Sequence, residues 1–366
     1  MYFDRRLFTN FDWRIAITAV LLVSLGILAM YASNVGATSP AKQGLYLKQA
    51  LWLLAGLGGL VVASVINYRT VARFAYLFYG LCFALLLIVD LLGHAGLGPQ
   101  RWVKIGFVTI QPSEFMKLGV IVCLARYFEE YKERLGDPRL LLVPALLALV
   151  PALVILKQPD LGTAVTLIMI ATTLLLLAGL RFKHLLVLGA TGLSLLPLLW
   201  TFLKEYQRRR ILVFLNPQLD PLGAGYHVAQ SKIAVGSGEL FGKGLTAASQ
   251  SQLNFLPASH TDFIFAVLAE QWGFLGCVVI LFLYYLLIAQ GFQVASEAKD
   301  LFGSLMAFGV MAMIALQLFL NVGMVIGIMP VVGLPLPLLS YGGSSLVMTM
   351  LGLGLVISVR THRFIY

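Results

Sequence analysis

Long apolar runs separated by short polar segments are the dominant pattern of this chain. A helix needs about 20 mostly apolar residues to cross the hydrocarbon of a bilayer. By this measure we predict membrane-spanning helices at 14–33, 47–66, 71–92, 113–131, 139–157, 162–180, 184–204, 262–292, 303–325 and 341–360. The eighth run is long enough to begin above the membrane.

The apolar runs are continuous, which favours helices over the strands of a membrane β-barrel. Barrel strands would alternate in polarity over segments of about ten residues, and only helices and closed barrels satisfy their backbone groups in lipid. Composition agrees, because 60% of residues are hydrophobic and 11% are charged, against roughly 25% charged in soluble domains. We predict an all-α integral membrane protein of about ten transmembrane helices, with residues 1–366 forming one polytopic domain.

One long non-apolar segment, 205–261, lies between the seventh and eighth predicted spans. It includes Ile211, Phe214 and Tyr226, so we expect short amphipathic helices on the outer surface rather than disorder. The glycines around Lys243 lack the spacing of a phosphate-binding loop and are interpreted as flexible turns. We therefore predict one large extracytoplasmic loop.

The positive charges indicate how the chain is oriented. With the N-terminus inside, cytoplasmic segments hold 14 of the 26 Lys and Arg residues, short outer segments hold six, and six lie in or beside 205–261. By the positive-inside rule both termini face the cytoplasm. The net charge of +10 then reflects membrane orientation, and we expect no nucleic-acid partner. Cys82, Cys123 and Cys277 lie within apolar runs and are predicted to be buried thiols.

Asp262 is the carboxylate with the sharpest setting. It follows the polar residues Ser259, His260 and Thr261 and precedes an apolar run. Either Thr261 or Asp262 caps the following helix, since a side-chain oxygen there accepts a free backbone N–H, or Asp262 performs chemistry at the outer membrane edge. Ionisable groups at membrane depth are costly and tend to be functional. Both interpretations remain open from the local pattern.

Two other polar groups are predicted on the outer side. Glu114 and Lys117 are three residues apart, a spacing that places them on one helix face. They form either a neutralising ion pair or the wall of a polar cavity in which Lys117 contacts an anionic substrate. Asp160, between the fifth and sixth spans, either caps a helix or lines the same cavity.

Arg208, Arg209 and Arg210 are unusual because they lie outside. They contact anionic headgroups, or they bind phosphate or pyrophosphate through bidentate guanidinium contacts. Arg101 and Lys104 add positive charge on that side. The five histidines are scattered and give no metal-ligand spacing, so no metal site is predicted from the protein residues.

Several motifs resemble those of the SEDS family, the shape, elongation, division and sporulation proteins. Residues 260–265, HTDFIF, resemble the family signature. Further motifs are matched at 111–114 with Lys117, at 158–163, at 335–337 and at 340–344. Residues 223–227 and 250–257 resemble the RodA-type elongation branch more than the FtsW-type division branch. Ala258 stands where relatives commonly carry Glu, so any role of that Glu is absent here.

The resemblance implies a peptidoglycan glycosyltransferase of the cytoplasmic (inner) membrane that polymerises lipid II into β-1,4 glycan for cell elongation and rod shape. We expect Asp262 to be the general base, with the active site extracytoplasmic. The expected substrate-binding residues are Arg101, Glu114, Lys117, Asp160, Arg208, Arg209, Arg210, His260, Thr261 and Ser344. A divalent cation, Mg²⁺ or Mn²⁺, could sit at the pyrophosphate. Implied partners are a class B penicillin-binding protein and membrane proteins of the elongation complex.

Two rival functions use the same residues. A lipid II flippase or transporter would use Glu114, Lys117 and Asp160 as a substrate path, although we find no inverted repeat or paired broken helices. A non-catalytic scaffold for the penicillin-binding protein would need no acid at position 262. The product distinguishes a flippase from a polymerase, because flipping leaves lipid II unchanged and polymerisation consumes it, and a variant of Asp262 decides the scaffold alternative.

Overall fold

A computed structural model of the chain describes most of its residues. The described residues are 11–34, 44–92, 101–105, 108–134, 138–179, 189–190, 192, 194, 200–201, 205–220, 223–245, 256 and 258–363. Most of the predicted seventh span, 184–204, and most of the motif at 250–257 lie outside them, as does the side chain of Lys104.

Helices make up nearly all of the described chain. In chain order they are α1 (Trp13–Asn34), α2 (Leu45–Val65), α3 (Tyr68–Arg73), α4 (Ala75–Leu92), α5 (Pro112–Glu130), α6 (Leu142–Lys157), α7 (Leu161–Leu177), α8 (Glu205–Leu215), α9 (Ala224–Ser237), α10 (Ile264–Ser296), α11 (Leu301–Val325) and α12 (Gly343–Arg363). Single 3-10 turns occur at Lys132–Arg134, Pro138–Leu141 and Pro217–Leu219. The prediction of an all-α fold is confirmed apart from one small hairpin, β1 (Val103–Ile105) and β2 (Val108–Ile110), whose strands pair antiparallel with Val103 opposite Ile110.

The multi-pass membrane class is also confirmed. Among the described residues, α1, α2, α10, α11 and α12 are long and apolar enough to cross a membrane, and α4, α6 and α7 are shorter apolar helices. The count of ten spans stays a prediction, because the seventh lies mostly outside the described residues. One predicted span, 71–92, is wrong in detail, since α3 ends at Arg73 and α4 begins at Ala75. Asn67 caps α3, because its side chain accepts a hydrogen bond from the Arg69 N–H at 2.9 Å.

Helix α5 lies at the centre of the bundle although it carries five charged residues. It packs against α4, α7 and α11, and most of its side chains are buried. The charges are tolerated because they are paired: Lys117 with Glu114 at 2.9 Å, and Arg126 with Glu129 at 2.9 Å and Glu130 at 2.8 Å. Paired charges avoid much of the cost of leaving water.

Helix α10 is broken at Gly273, whose φ of 66° and ψ of −163° are non-helical. A Cβ there would lie 2.3 Å from the backbone nitrogen of Gly242. The positive φ and this close approach both require glycine. The break allows another segment of backbone to reach the helix.

The segment that follows α9 supplies the hydrogen bonds that the break removes. The N–H groups of Lys243 and Gly244 donate to the carbonyls of Glu270 and Gln271, at 2.9 and 3.0 Å. In return, the Phe274 N–H donates to the Glu239 carbonyl at 2.8 Å. The predicted turns are present, at 238–241, but these residues are held by hydrogen bonds rather than free. They dock on α10, and the Lys243 side chain pairs with the buried Glu270 at 3.2 Å.

Candidate active site before helix α10

Asp262 lies in a tight turn just before α10. The N–H groups of Thr261 and Phe263 both donate to the Ala258 carbonyl, at 3.1 and 3.3 Å. The helix itself is capped by Phe263, and no side chain makes a capping hydrogen bond there. The capping interpretation for Thr261 or Asp262 is wrong, because the turn places the helix start one residue later. The Asp262 carboxylate is thus not used to begin the helix.

Three successive carbonyls hold this turn in position. The His260 carbonyl accepts from the Tyr341 N–H at 2.8 Å, and the Thr261 carbonyl accepts from the Ser340 hydroxyl at 2.6 Å. The Asp262 carbonyl accepts from the Asn321 amide at 2.8 Å. These donors come from α11 and from the segment before α12, so the backbone at Asp262 is fixed by distant parts of the chain.

The donors are themselves anchored. The Asn321 amide also donates to the Leu334 carbonyl at 2.7 Å. The Gln49 side chain, fully buried on α2, donates to the Ser340 carbonyl at 3.0 Å and accepts from the Gly342 N–H at 3.3 Å. A rigid backbone of this kind suits a group that must keep its position during a reaction.

The Asp262 carboxylate and the Arg210 guanidinium meet beside Gly333. A Cβ on Gly333 would lie 3.4 Å from Asp262 Oδ2 and 3.6 Å from Arg210 Nη1, so these atoms are no more than 7.0 Å apart. Gly333 has a φ of +72°, a conformation that favours glycine. The absence of a side chain there leaves space next to both charged groups.

Burial is the largest influence on the Asp262 carboxyl, and it raises its pKa. The charge of Arg210, a hydrogen bond from Thr261 and the charge of Arg101 lower that pKa, whereas the charge of Asp160 raises it. The net pKa is above the ordinary value for Asp. Arg210, Thr261, Asp160 and Arg101, all predicted from the sequence as site residues, therefore act on the pKa of Asp262.

Asp160 has a structural task as well. It caps α7, accepting from the Thr163 N–H at 3.2 Å and the Thr163 hydroxyl at 2.9 Å. It also accepts from the Gln111 amide at 3.1 Å. The capping interpretation is confirmed for this residue. Arg101 lies on the same side, with its Nε donating to the Gln158 carbonyl at 2.9 Å.

Ser344 joins the hairpin to α12. Its hydroxyl accepts from the Gln111 N–H and donates to the Thr109 carbonyl, each at 3.1 Å. Only 5% of the residue is exposed. A contact between Ser344 and substrate stays a prediction, and the observed role is to hold strand β2 against the bundle.

Glu114 and Lys117 form a closed ion pair. Their side chains are 3% and 1% exposed and their charged atoms are 2.9 Å apart. The ion-pair interpretation is confirmed. A substrate contact for either residue stays a prediction.

The structure gives the three neighbouring arginines different surroundings. Arg208 donates to the carbonyls of Trp200 and Thr201, at 2.9 and 2.6 Å. Arg209 pairs with Asp220 at 3.5 Å. Arg210 is the member whose charge acts on Asp262. The arginine cluster therefore contributes one guanidinium directly to the site.

His260 contributes an aromatic edge beside the turn. Its ring packs against Tyr341 with centroids 6.0 Å apart and an interplanar angle of 67°. Together with the bond from the Tyr341 N–H to the His260 carbonyl, this contact ties the family-like motif at 340–344 to the motif at 260–265.

Sequence reasoning overlooked three residues of this site. Gln49 and Asn321 are polar amides in apolar spans, a signal that often marks interhelical hydrogen bonds. Gly333 carries no such signal, because one glycine among 35 becomes informative only when its neighbours in space are known.

The fold and site define a multi-pass helical membrane protein with a rigid acidic turn and a nearby arginine at one end of the bundle. Residues 12–364 match the family model FtsW/RodA/SpoVE, described as cell cycle protein. The chain belongs to this family.

Relatives and solved structures agree along almost the whole length. The peptidoglycan glycosyltransferase MrdB of Escherichia coli K12 is 42% identical over 347 residues, covering 94% of this chain and 93% of MrdB. A chain from a study of how a peptidoglycan synthase complex coordinates polymerisation and crosslinking has a TM-score of 0.79 at 34% identity, covering 97% of this chain and 98% of that one. Crystalline RodA, the rod shape determining protein of Thermus thermophilus, has a TM-score of 0.70 at 32% identity with the same coverage.

Proposed function

We propose that this chain is a peptidoglycan glycosyltransferase that polymerises lipid II into β-1,4 glycan, with Asp262 as general base. The observation that carries the proposal is the state of Asp262: its backbone is held by Asn321, and its carboxylate does not cap α10 and lies near Arg210. The activity in the name of the MrdB relative supports the reaction class.

The chemistry of the substrate fits the residues around Asp262. Lipid II has a lipid tail, an anionic pyrophosphate and polar sugars. Apolar helix surfaces suit the tail, and Arg210 beside the carboxylate suits the pyrophosphate, because guanidinium binds phosphate in a bidentate way. The reacting sugar is then placed close to Asp262.

The reaction exchanges one bond for another at an anomeric carbon. The acceptor hydroxyl oxygen forms a bond to that carbon while the bond to the pyrophosphate oxygen breaks, and the lipid pyrophosphate leaves with the electron pair. Asp262 takes the hydroxyl proton. The α-linked donor gives a β-linked product, as expected for a single displacement.

One positioned base is sufficient for this reaction. Glycoside hydrolysis uses two carboxyl groups, since a poor leaving group must be protonated, whereas a pyrophosphate leaves readily once its charge is neutralised. Positioned proton transfer contributes roughly 10²–10⁴-fold to a rate. The raised pKa of Asp262 makes its carboxylate a stronger base.

Neutralisation of the pyrophosphate is assigned to arginine. Arg210 is the nearest candidate, and Arg208, Arg209 and Arg101 extend the positive field. A divalent cation, Mg²⁺ or Mn²⁺, is included in the proposal only as an ion that would be bound by the pyrophosphate of the substrate. In the part of the chain that the structure describes, no group of three or more His, Cys, Asp or Glu side chains could hold a metal ion.

The proposed setting is the inner membrane, with both termini cytoplasmic and Asp262 extracytoplasmic, as the Lys and Arg distribution indicates. The proposed partners are a class B penicillin-binding transpeptidase and other membrane proteins of the elongation complex. A solved chain similar to this one belongs to a study of a synthase complex that couples polymerisation to crosslinking, which supports a transpeptidase partner.

The decisive experiment is glycan synthesis from lipid II by purified Asp262→Asn protein, with and without the transpeptidase. We expect polymerisation to fall by about 10²-fold or more while the protein stays folded. Glu239→Gln is the matched control, because Glu239 is an exposed acid outside the site, and it should polymerise normally. Full polymerisation by Asp262→Asn would show that Asp262 is not the general base. Absence of polymerisation by the wild type, with lipid II left unchanged, would favour the scaffold or flippase alternatives.

A further inference from the structure

A polar cavity lies at the opposite end of the bundle from Asp262. Its volume is about 380 Å³, and its lining includes Arg69, Arg73, Arg126, Glu129, Asp300 and Phe302. Helix α5 begins at Pro112, near the Asp160 network, and carries Arg126 and Glu129 close to its other end. The Lys and Arg count places this end on the cytoplasmic side.

Two of the three arginines in this cavity are already neutralised. Arg69 lies 3.5 Å from Asp300. Arg126 contacts Glu129 at 2.9 Å and Glu130 at 2.8 Å. Each of these guanidinium groups therefore has a carboxylate partner within the protein.

Asp300 is held by contacts other than Arg73. It accepts from the Tyr68 hydroxyl at 2.6 Å and from the Gly303 N–H at 2.8 Å. Tyr68 in turn stacks on Phe302 with ring centroids 6.4 Å apart and planes inclined by 7°. The Asp300 carboxylate is thus fixed by Tyr68 and Gly303.

Arg73 is an exposed arginine with no carboxylate partner among the described residues. Within the described ranges it makes no hydrogen bond or ion pair, although it lines the cavity and ends helix α3. A guanidinium offers five N–H donors in a planar fork that matches a phosphate group. The cavity therefore presents one unsatisfied site for an anion.

The surroundings of Arg73 are those of a membrane-facing surface. The next residue, Phe74, is 52% exposed, and along α4 the same kind of exposure continues at Leu77, 60%, and Leu81, 58%. Residues four apart lie on one helix face. An apolar stripe therefore runs from Arg73 into the membrane, where acyl chains would cover it.

We infer that this cavity binds an anionic phospholipid of the cytoplasmic leaflet, with the phosphodiester on Arg73 and the acyl chains along Phe74, Leu77 and Leu81. Basic pockets between transmembrane helices on the cytoplasmic side are a recognised form of lipid headgroup site. A free phosphate would contact Arg73 alone, whereas a lipid would contact Arg73 and the exposed apolar residues beside it with one molecule. The stripe is what favours a lipid.

The test is native mass spectrometry of the full chain with added dioleoyl-phosphatidylglycerol, using dioleoyl-phosphatidylcholine, which is zwitterionic with no net charge, as the comparison. Arg73→Gln should weaken phosphatidylglycerol binding by about five-fold and phosphatidylcholine binding by less, because the choline offsets the phosphate charge. Arg134→Gln is the matched control, since Arg134 is an exposed arginine outside the cavity. Equal phosphatidylglycerol binding by wild type and Arg73→Gln would overturn the inference.

Two further measurements separate a lipid from a free anion and from misfolding. Glycerol 3-phosphate at the same concentration should not displace the lipid, and full displacement would assign the site to a free phosphate instead. Phosphatidylglycerol should raise the melting temperature of the wild type, because a ligand that binds the folded state stabilises it. Arg73→Lys, which keeps the charge but loses the planar fork, should retain part of that rise, whereas Arg73→Gln should lose it.

Discussion

Two carboxylate–cation pairs in this protein are built in opposite ways. Glu114 and Lys117 are in contact at 2.9 Å and almost completely buried. Asp262 and Arg210 are partly exposed, and their charged atoms are up to 7.0 Å apart, with Gly333, which has no side chain, next to both. The first pair has each charge satisfied by the other, and the second leaves room for a third group.

This difference indicates which of the two carboxylates is available to react. A closed pair stabilises its surroundings only while both members are present, since removal of one leaves the other charge buried and unpaired. An open pair can release or accept a proton and can admit an anion beside its cation. The sequence pattern offered both pairs as site candidates, and the geometry favours Asp262 as the reacting group.

The largest expected effect on stability comes from breaking the closed pair. Lys117→Met leaves Glu114 buried without its partner and should cost about 3–5 kcal/mol, measured as a large drop in melting temperature in detergent. The double variant Glu114→Leu with Lys117→Met should recover most of the loss, since it leaves no unpaired charge. A single variant that melts like wild type would show that the pair is not holding α5 in place.

A smaller effect on stability is expected from removing the hydrogen bond that holds the Asp262 backbone. Asn321→Leu removes the donor to the Asp262 and Leu334 carbonyls and should cost about 1–3 kcal/mol, with a lower polymerisation rate. Gln317→Leu, one turn earlier on α11, is the control. The Gln317 amide is buried without a hydrogen-bond partner in the described chain, so this change should be neutral or stabilising. Equal losses in the two variants would contradict a specific role for Asn321.

Filling the space between Asp262 and Arg210 is expected to affect activity more than stability. Gly333→Ala places a methyl group beside both charges and should cost about 1–2 kcal/mol in backbone strain, with a clear fall in polymerisation. Gly44→Ala has the same kind of strain, since its φ is +82° with nothing within 4 Å of the added Cβ. If Gly44→Ala lost as much activity, strain rather than the filled space would be the cause.

The smallest effect is a shift in the pH dependence. The base acts when deprotonated, so polymerisation should fall as the pH drops through the raised pKa of Asp262. Arg210 lowers that pKa. Arg210→Gln should therefore raise it and move the loss of activity to higher pH, in addition to weakening substrate binding. Arg208→Gln should move the acid limb less than Arg210→Gln, because Arg210 is the charge with the largest effect on the pKa of Asp262.

Local patterns in the sequence predicted the features that depend on nearby residues. Apolar run lengths predicted most of the helices, because each helix must satisfy its own backbone in lipid. The three-residue spacing of Glu114 and Lys117 predicted their ion pair, and the position of Asp160 before an apolar run predicted its capping of α7. Each of these interactions joins residues within about one helical turn.

Features that join distant parts of the chain were decided by the tertiary structure. The break in α10 at Gly273 accompanies the docking of residues 238–244. The local sequence does not reveal it, because it shows only an ordinary apolar span. The choice of Arg210 among three arginines, and the bond from Asn321 to a carbonyl 59 residues away, depend on how helices pack. Asp262 illustrates the difference between local and tertiary information. Its sequence neighbours suggested a helix cap, whereas packing against α11 and the segment before α12 places it in a separate, rigid turn.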